Sequence, residues 1–278
     1  MDEVVANSKT IIEQGSKSFA AAAKLFDTQT RENAFMLYAW CRYCDDQIDG
    51  HELGFGQSSP QPDEQLSILE ALKSQTESAM AGDPTSHPVF AAFQRVYQSC
   101  RIPTRYPMEL LEGFAMDVDK HRYRTLEDTL RYSYHVAGVV GAMMASIMGV
   151  KDAATLERAI DLGIAFQLTN ISRDVMEDAS DSRVYLPADW LAEAGAPVDA
   201  EDFPGNEARI AAVVERLLNE ADRYYDSSLH GIAQLPLRCA WAIAAARSVD
   251  PIPVEKAANA PYVQVCESPP TITSPGRI

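Results

Sequence analysis

The feature that most constrains this chain is a polar stripe on an otherwise apolar helix. Ile160, Leu162, Ile164, Phe166, Leu168, Ile171 and Val175 recur through a helical segment at 152–179. Gln167, Asn170, Asp174 and Asp178 nevertheless fall on one stripe of that segment. Amide and carboxylate groups carried into so apolar a setting cost free energy unless partners satisfy them. Hard divalent cations prefer oxygen ligands, and Mg²⁺ characteristically takes one or two carboxylates and fills its shell with water and phosphate.

A second constellation repeats the spacing. Tyr38, Arg42, Asp45 and Asp49 project within about 60° of one another on a helix, with Asp46 beside them. Asp45 and Asp49 are four apart, as are Asp174 and Asp178, so each pair repels unless something cationic stands near it. A lone D-D-x-x-D most often marks a solvated acidic face. Here it follows directly on the aromatic run 35–40, where an exposed face is less expected. Two such helices facing across a cavity can hold a small cluster of ions around a shared diphosphate. The net charge of −16 argues against nucleic acid as the main partner. It also means that an anionic ligand needs metal ions or clustered Arg and Lys to be bound.

Helical periodicity dominates the remainder, with no convincing alternating strand. The first aspartate helix starts near Thr28 or Thr30, the candidate N-caps, and ends near Ile48. A loop rich in Gly, Ser and Pro follows. Further helices are expected at 63–81, 86–100, 104–118, 126–149, 152–179, 187–194, 206–230 and 236–249, with prolines at their starts or junctions. One all-α domain, 1–249, is the economical reading. The Pro-rich segment 250–278 has no helical stripe and reads as an irregular tail. The five cysteines lie among apolar residues, and the Cys41/Cys44 pair lacks partners for a zinc site, so reduced thiols are expected. The longest apolar run, 136–150, is shorter than the ~18 residues a membrane span requires. The N-terminus carries no signal core. A cytoplasmic protein is expected, with loose peripheral contact at the inner face of the membrane.

These motifs resemble a known family. GIAFQLTNISRDVMED (163–178) followed by RVYLP (183–187) resembles the second signature of the squalene and phytoene synthases, and YAWCRYCDDQID (38–49) resembles the first. GSKSF (15–19), YSYHVAGVVG (132–141) and LPLRCAWAIAAAR (235–247) are similar to its bacterial carotenoid branch. The resemblance implies a single-domain helical bundle of the isoprenoid synthase type around a central apolar channel. It implies metal binding by Asp45, Asp49, Asn170, Asp174 and Asp178, supported by Asp46, with Mg²⁺ as the ion and Mn²⁺ as a substitute. Ser16, Lys17, Ser18, Arg42 and Arg173 match positions near the diphosphates, where cationic hydrogen bonding suits phosphate oxygens. Tyr38, Tyr132, Gln167 and Tyr185 match positions at the reaction centre. Val136, Ala137, Val139 and Val140 match the channel wall, and Gly138 and Gly141 match points of close approach. In an ideal helix Arg173 points away from Asp174, which makes Asp45 or Glu177 its expected partner.

The implied reaction joins two geranylgeranyl diphosphates head to head, through a cyclopropyl diphosphate, to phytoene, without NADPH. Association with other carotenoid-pathway enzymes is a further implication. The alternatives are a squalene or dehydrosqualene synthase using farnesyl diphosphate, and a catalytically impaired scaffold. The family departs from this chain at two places. It usually has Gly where Ser182 precedes Arg183, which matters if that position needs φ > 0. Its last helix also continues where this chain has 250–278.

Overall fold

The computed structural model describes residues 2–52, 55–56 and 60–249, with the side chains at 17, 18, 52, 55, 56 and 244–249 outside that description. The proposed tail 250–278 lies outside the described residues. Helix starts follow local chemistry. Helix α1 (Glu3–Gly15) is capped by Asp2, whose carboxylate accepts from the Val5 N–H, and α2 (Lys17–Ala23) is capped by Ser16. The first aspartate helix is α3 (Thr28–Asp49). Its cap is Asp27 rather than Thr28 or Thr30: the Asp27 carboxylate accepts from the Thr30 N–H at 3.0 Å and from its hydroxyl at 2.6 Å. An anion suits the positive end of the helix dipole better than a hydroxyl does.

The loop after α3 contains one element not anticipated, a two-residue-by-two-residue antiparallel hairpin, β1 (His51–Glu52) and β2 (Phe55–Gly56). Next come α4 (Pro62–Ala81) and α5 (Pro88–Cys100), each with proline in its first turn, and α6 (Arg105–Val118). The expected helix at 126–149 is three pieces. Helix α7 (Leu126–Ser133) opens with a Thr125/Asp128 capping box and passes through a π turn (Tyr134–Gly138) into α8 (Val139–Ile147). The second aspartate helix is α9 (Ala153–Ser180), followed by α10 (Ala188–Glu193), a short 3₁₀ turn (Ala200–Asp202), α11 (Glu207–Ile232) and α12 (Leu237–Val249).

Two apolar cores result. One gathers Trp40, Leu37, Phe90, Phe93 and Leu111 from α3, α5 and α6. The other gathers Leu168, Ile171, Val213 and Leu217 where α9 lies along α11. Between them the π turn and α8 meet α9 backbone to backbone. A Cβ at Gly141 would sit 2.2 Å from the Ala159 carbonyl oxygen, and one at Gly163 2.2 Å from that of Ala137. Only glycine allows this approach. Among the described residues no helix is long and apolar enough to cross a membrane. Cys41, Cys44, Cys100 and Cys239 are free thiols, and Cys266 lies outside the described residues.

Candidate active site

A cavity of about 610 Å³ opens between the two cores. Its inner wall is apolar: Phe19, Ala22, Ala23 and Phe26 face Leu110, Phe114, Val136, Ala137, Val140, Met144 and Met148. Its mouth carries Ser16, Tyr38, Arg42, Asp45, Gln167, Asn170 and Arg173. The fold thus gathers there Asp45 and Asn170 of the expected metal set with Ser16, Arg42, Arg173, Tyr38, Tyr132 and Gln167, on helices distant in the chain, whereas Asp46, Asp49, Asp174, Asp178 and Tyr185 do not line the cavity. Gly138 stands elsewhere, pressed on α9 with a Cβ position 3.1 Å from the Ile160 Cγ2. Val139 is fully buried in the first core. The side chains of Lys17 and Ser18 lie outside the described residues.

Arginines hold the aspartates. Arg42 Nη1 donates to the Asp45 carboxylate at 2.7 Å and lies 3.8 Å from Asp46, with its guanidinium 6.0 Å from the centre of the Tyr38 ring. Asp46 is buried. Arg173 pairs with its own neighbour Asp174, Nε and Nη2 each donating at 2.6 Å to separate carboxylate oxygens. This corrects the expected pairing with Asp45 or Glu177. Helical phase fixes only where Cβ points, and the arginine stem is long enough to fold back over one residue.

Arg183 opens the RVYLP segment that follows α9. It donates to Asp49, and so joins the strand of chain after α9 to the end of α3. Its placement depends on the way α9 stops. Ser182 adopts φ 61°, its N–H donates to the Ala179 carbonyl at 2.9 Å, and the Arg183 N–H donates to the Asp178 carbonyl at 2.8 Å. This is a Schellman cap with serine in the position that normally takes glycine.

Burial pushes the Asp45 carboxyl up to about 6, with Asp49 and Asp46 adding to the rise and Arg42 opposing it. Asp178 is pushed up to about 7, by burial first and then by Asp174, while Arg183 opposes. Among the described residues, no three His, Cys, Asp or Glu side chains stand close enough together to hold a metal ion unaided.

Sequence reading missed Asp117, at the end of α6. It accepts from the Tyr132 hydroxyl at 2.9 Å and the Tyr185 hydroxyl at 3.0 Å. Burial pushes its carboxyl up to about 7, against Arg183 and the two phenols. Tyr132 faces the cavity, while Tyr185 stacks on it with ring centres 4.7 Å apart and planes at 19°. Tyr123 closes the group edge-on, 5.5 Å from Tyr132. Burial holds the Tyr132 and Tyr185 phenols neutral, as hydrogen-bond donors. Nothing in the acidic end of the 104–118 helix distinguishes Asp117 from a solvated residue.

The chain is similar to known proteins over most of its length. Residues 12–264 match the squalene/phytoene synthase family model. The chain is 53% identical over 235 residues to a phytoene synthase of Pseudescherichia vulneris, covering 84% of this chain and 76% of that one. It is 51% identical over 247 residues to a 15-cis-phytoene synthase of a Paracoccus species, covering 88% and 79%. Among solved structures it superimposes on a ligand-bound dehydrosqualene synthase with a TM-score of 0.77 at 27% identity, over 89% of this chain and 83% of that one. A squalene synthase from Alicyclobacillus acidocaldarius gives the same TM-score at 22% identity, over 92% and 91%, and shares the fold. The chain belongs to the squalene/phytoene synthase family.

Proposed function

We propose that this prenyltransferase is a phytoene synthase: it joins two geranylgeranyl diphosphates head to head into a C40 hydrocarbon, releasing two diphosphates and two protons, one on closing the cyclopropyl diphosphate and one from the final cation. The observation that carries the reading is a cavity with an apolar inner wall and a polar mouth that Asp45, Arg42, Gln167, Asn170 and Arg173 line, with Arg173 bonded to Asp174 and Arg183 joining Asp49 to the segment after α9. The close similarity to phytoene synthases supports the chain length.

Mg²⁺ fits the donor set. The oxygens are hard, Asp45 and Asp178 are raised by burial and by neighbouring carboxylates that a cation would relieve, and Mg²⁺ needs few protein ligands because water and phosphate complete its shell. Asp45 and Asp49 from α3, with Asn170, Asp174 and Asp178 from α9, would hold it, and Asp46 would support Arg42 beside them. When bound, the ion supplies Lewis-acid neutralisation of the departing diphosphate.

The chain's own groups do the rest. Arg42, Arg173 and Ser16 present donors at the mouth, positioned to take phosphate oxygens. The wall formed by Phe19, Phe114, Val136 and Val140 keeps water from the allylic cation, which would otherwise be hydrolysed. Tyr38 and Tyr132 line the same cavity, where their rings can stabilise that cation, and Gln167 adds a neutral polar group to the lining. No reductant enters this scheme. Peripheral membrane contact belongs to the same reading: substrate and product are lipids, and Leu237 and Trp241 on α12 are 74% and 65% exposed. In a flotation assay with neutral vesicles, a Leu237→Ser/Trp241→Ser variant should stay unbound; unchanged flotation would refute this contact.

Incubation with geranylgeranyl diphosphate and Mg²⁺, without NADPH, should yield an extractable C40 hydrocarbon. Preferential formation of a C30 product from farnesyl diphosphate would overturn the chain length, and no product from either would overturn the function.

A further inference from the structure

We infer that Asp117 is a positioning residue that fixes the ring of Tyr132 at the reaction centre, acting through the phenols of Tyr132 and Tyr185. The inference rests on the proposed prenyl-diphosphate condensation and names a residue outside both aspartate motifs.

The carboxylate uses both oxygens, one for each phenol, at 2.9 and 3.0 Å. Its two partners come from different parts of the chain, Tyr132 from α7 and Tyr185 from the segment after α9. Asp117 therefore ties three elements together behind the cavity. Only Tyr132 of this group faces the cavity, so Asp117 has no direct route to substrate. Both phenols are buried, and their hydroxyls also lie within hydrogen-bonding reach of each other. Without the carboxylate, the two buried hydroxyls could satisfy only one donor between them, and the rings would turn to find an acceptor for the other.

Ring orientation matters because a π face attracts a cation only when the cation stands over it. The parallel stack of Tyr132 on Tyr185, with Tyr123 edge-on behind, leaves one face of Tyr132 free for the cavity. A phenol donating to a carboxylate also has a more electron-rich ring, which strengthens that attraction. Asp117 should thus affect the cationic transition state much more than the binding of the diphosphate.

The test is a mutant cycle on steady-state kinetics, with C20 and C15 diphosphates both supplied. Asp117→Asn should lower kcat about tenfold or more with KM changed less than about twofold, in keeping with the size of a cation–π contact. In a Tyr132→Phe/Tyr185→Phe background the same substitution should change kcat less than about twofold, because the groups it acts through are gone. An equal loss of kcat in both backgrounds, or a loss confined to KM, overturns the inference. Far-UV circular dichroism identifies a variant that fails to fold. In that event Tyr185→Phe alone serves: it leaves Tyr132 at the cavity, and should lower kcat severalfold at constant KM. Unchanged kcat there overturns the inference. A wild-type chain that turns over neither substrate removes the function itself, and Asp117's role with it; an active wild type with an additive cycle removes only the role.

Discussion

Helices α3 and α9 carry the same i, i+4 aspartate pair and secure it in different ways. On α3 each carboxylate has a cation: Arg42, one turn earlier, holds Asp45, and Arg183, from beyond α9, holds Asp49. On α9 the neighbouring Arg173 takes both oxygens of Asp174, and Asp178 feels Arg183 only at a distance. Their endings differ as well. Both use a left-handed residue, Gly50 at φ 70° after α3 and Ser182 at φ 61° after α9. Glycine adopts that conformation at no steric cost, and serine does not. The helix with the poorer cap also supplies the cation on which the other depends. The two halves of the site are therefore coupled through the C-terminus of α9.

The largest effect should come from removing one carboxylate of either pair. Asp45→Asn and Asp174→Asn should each lower Mg²⁺-dependent turnover by roughly 10²–10³-fold or more, with far-UV helicity unchanged. If one variant keeps full activity, its helix is not part of the metal site and the symmetry of the comparison is lost.

Arg183→Gln tests the coupling itself. It leaves Asp49 without its cation, and should lower the Tm in EDTA by several degrees, for a loss of roughly 1–3 kcal/mol from a partly buried pair. Mg²⁺ should restore part of that loss. Equal Tm for variant and wild type in EDTA would mean the halves are independent.

Acidity probes the same contrast without mutation. Asp45 and Asp178 have folded-state pKa values of about 6 and about 7, above the ~3.9 of an unfolded aspartate. A carboxyl raised on folding favours the folded state fully below about pH 4, and that contribution is lost as pH rises through 6 to 7. Metal-free protein should accordingly melt lower at pH 7.5 than at pH 5, and Mg²⁺ should flatten the difference. A Tm that rises over that interval in EDTA would contradict the raised carboxyls. The smallest effect is expected from Ser182→Gly. It should add about 0.5–1 kcal/mol, or a few degrees of Tm, with activity unchanged, by relieving the left-handed serine. A lower Tm would show that the serine side chain contributes something the cap geometry does not reveal.

The aspartate helices were legible because their chemistry is local. A polar stripe in an apolar helix can be read from spacing alone, and the prolines of α4 and α5 mark real helix starts. The left-handed conformation at Ser182 was also foreseen as a condition, from one departure in a familiar motif. Asp117 was not legible, since one of its partners lies 68 residues away and only the fold brings them together. The π turn escaped for another reason. Five residues with an i→i−5 bond have the same apolar pattern as an ordinary helical turn. Arg173 was misassigned because periodicity sets the direction of a side chain's first bond and leaves its remaining torsions free.

The glycine crossing of α8 and α9 has a consequence for the cavity as a gauge. Where Gly141 meets Ala159 and Gly163 meets Ala137, the wall behind is main chain, with no rotamer to yield. Across the cavity stand Phe19 and Phe26, whose side chains can re-seat around what they touch. A hydrocarbon guest is thus measured against one hard jaw and one soft one. Excess girth meets fixed backbone, whereas excess length meets side chains that can give way.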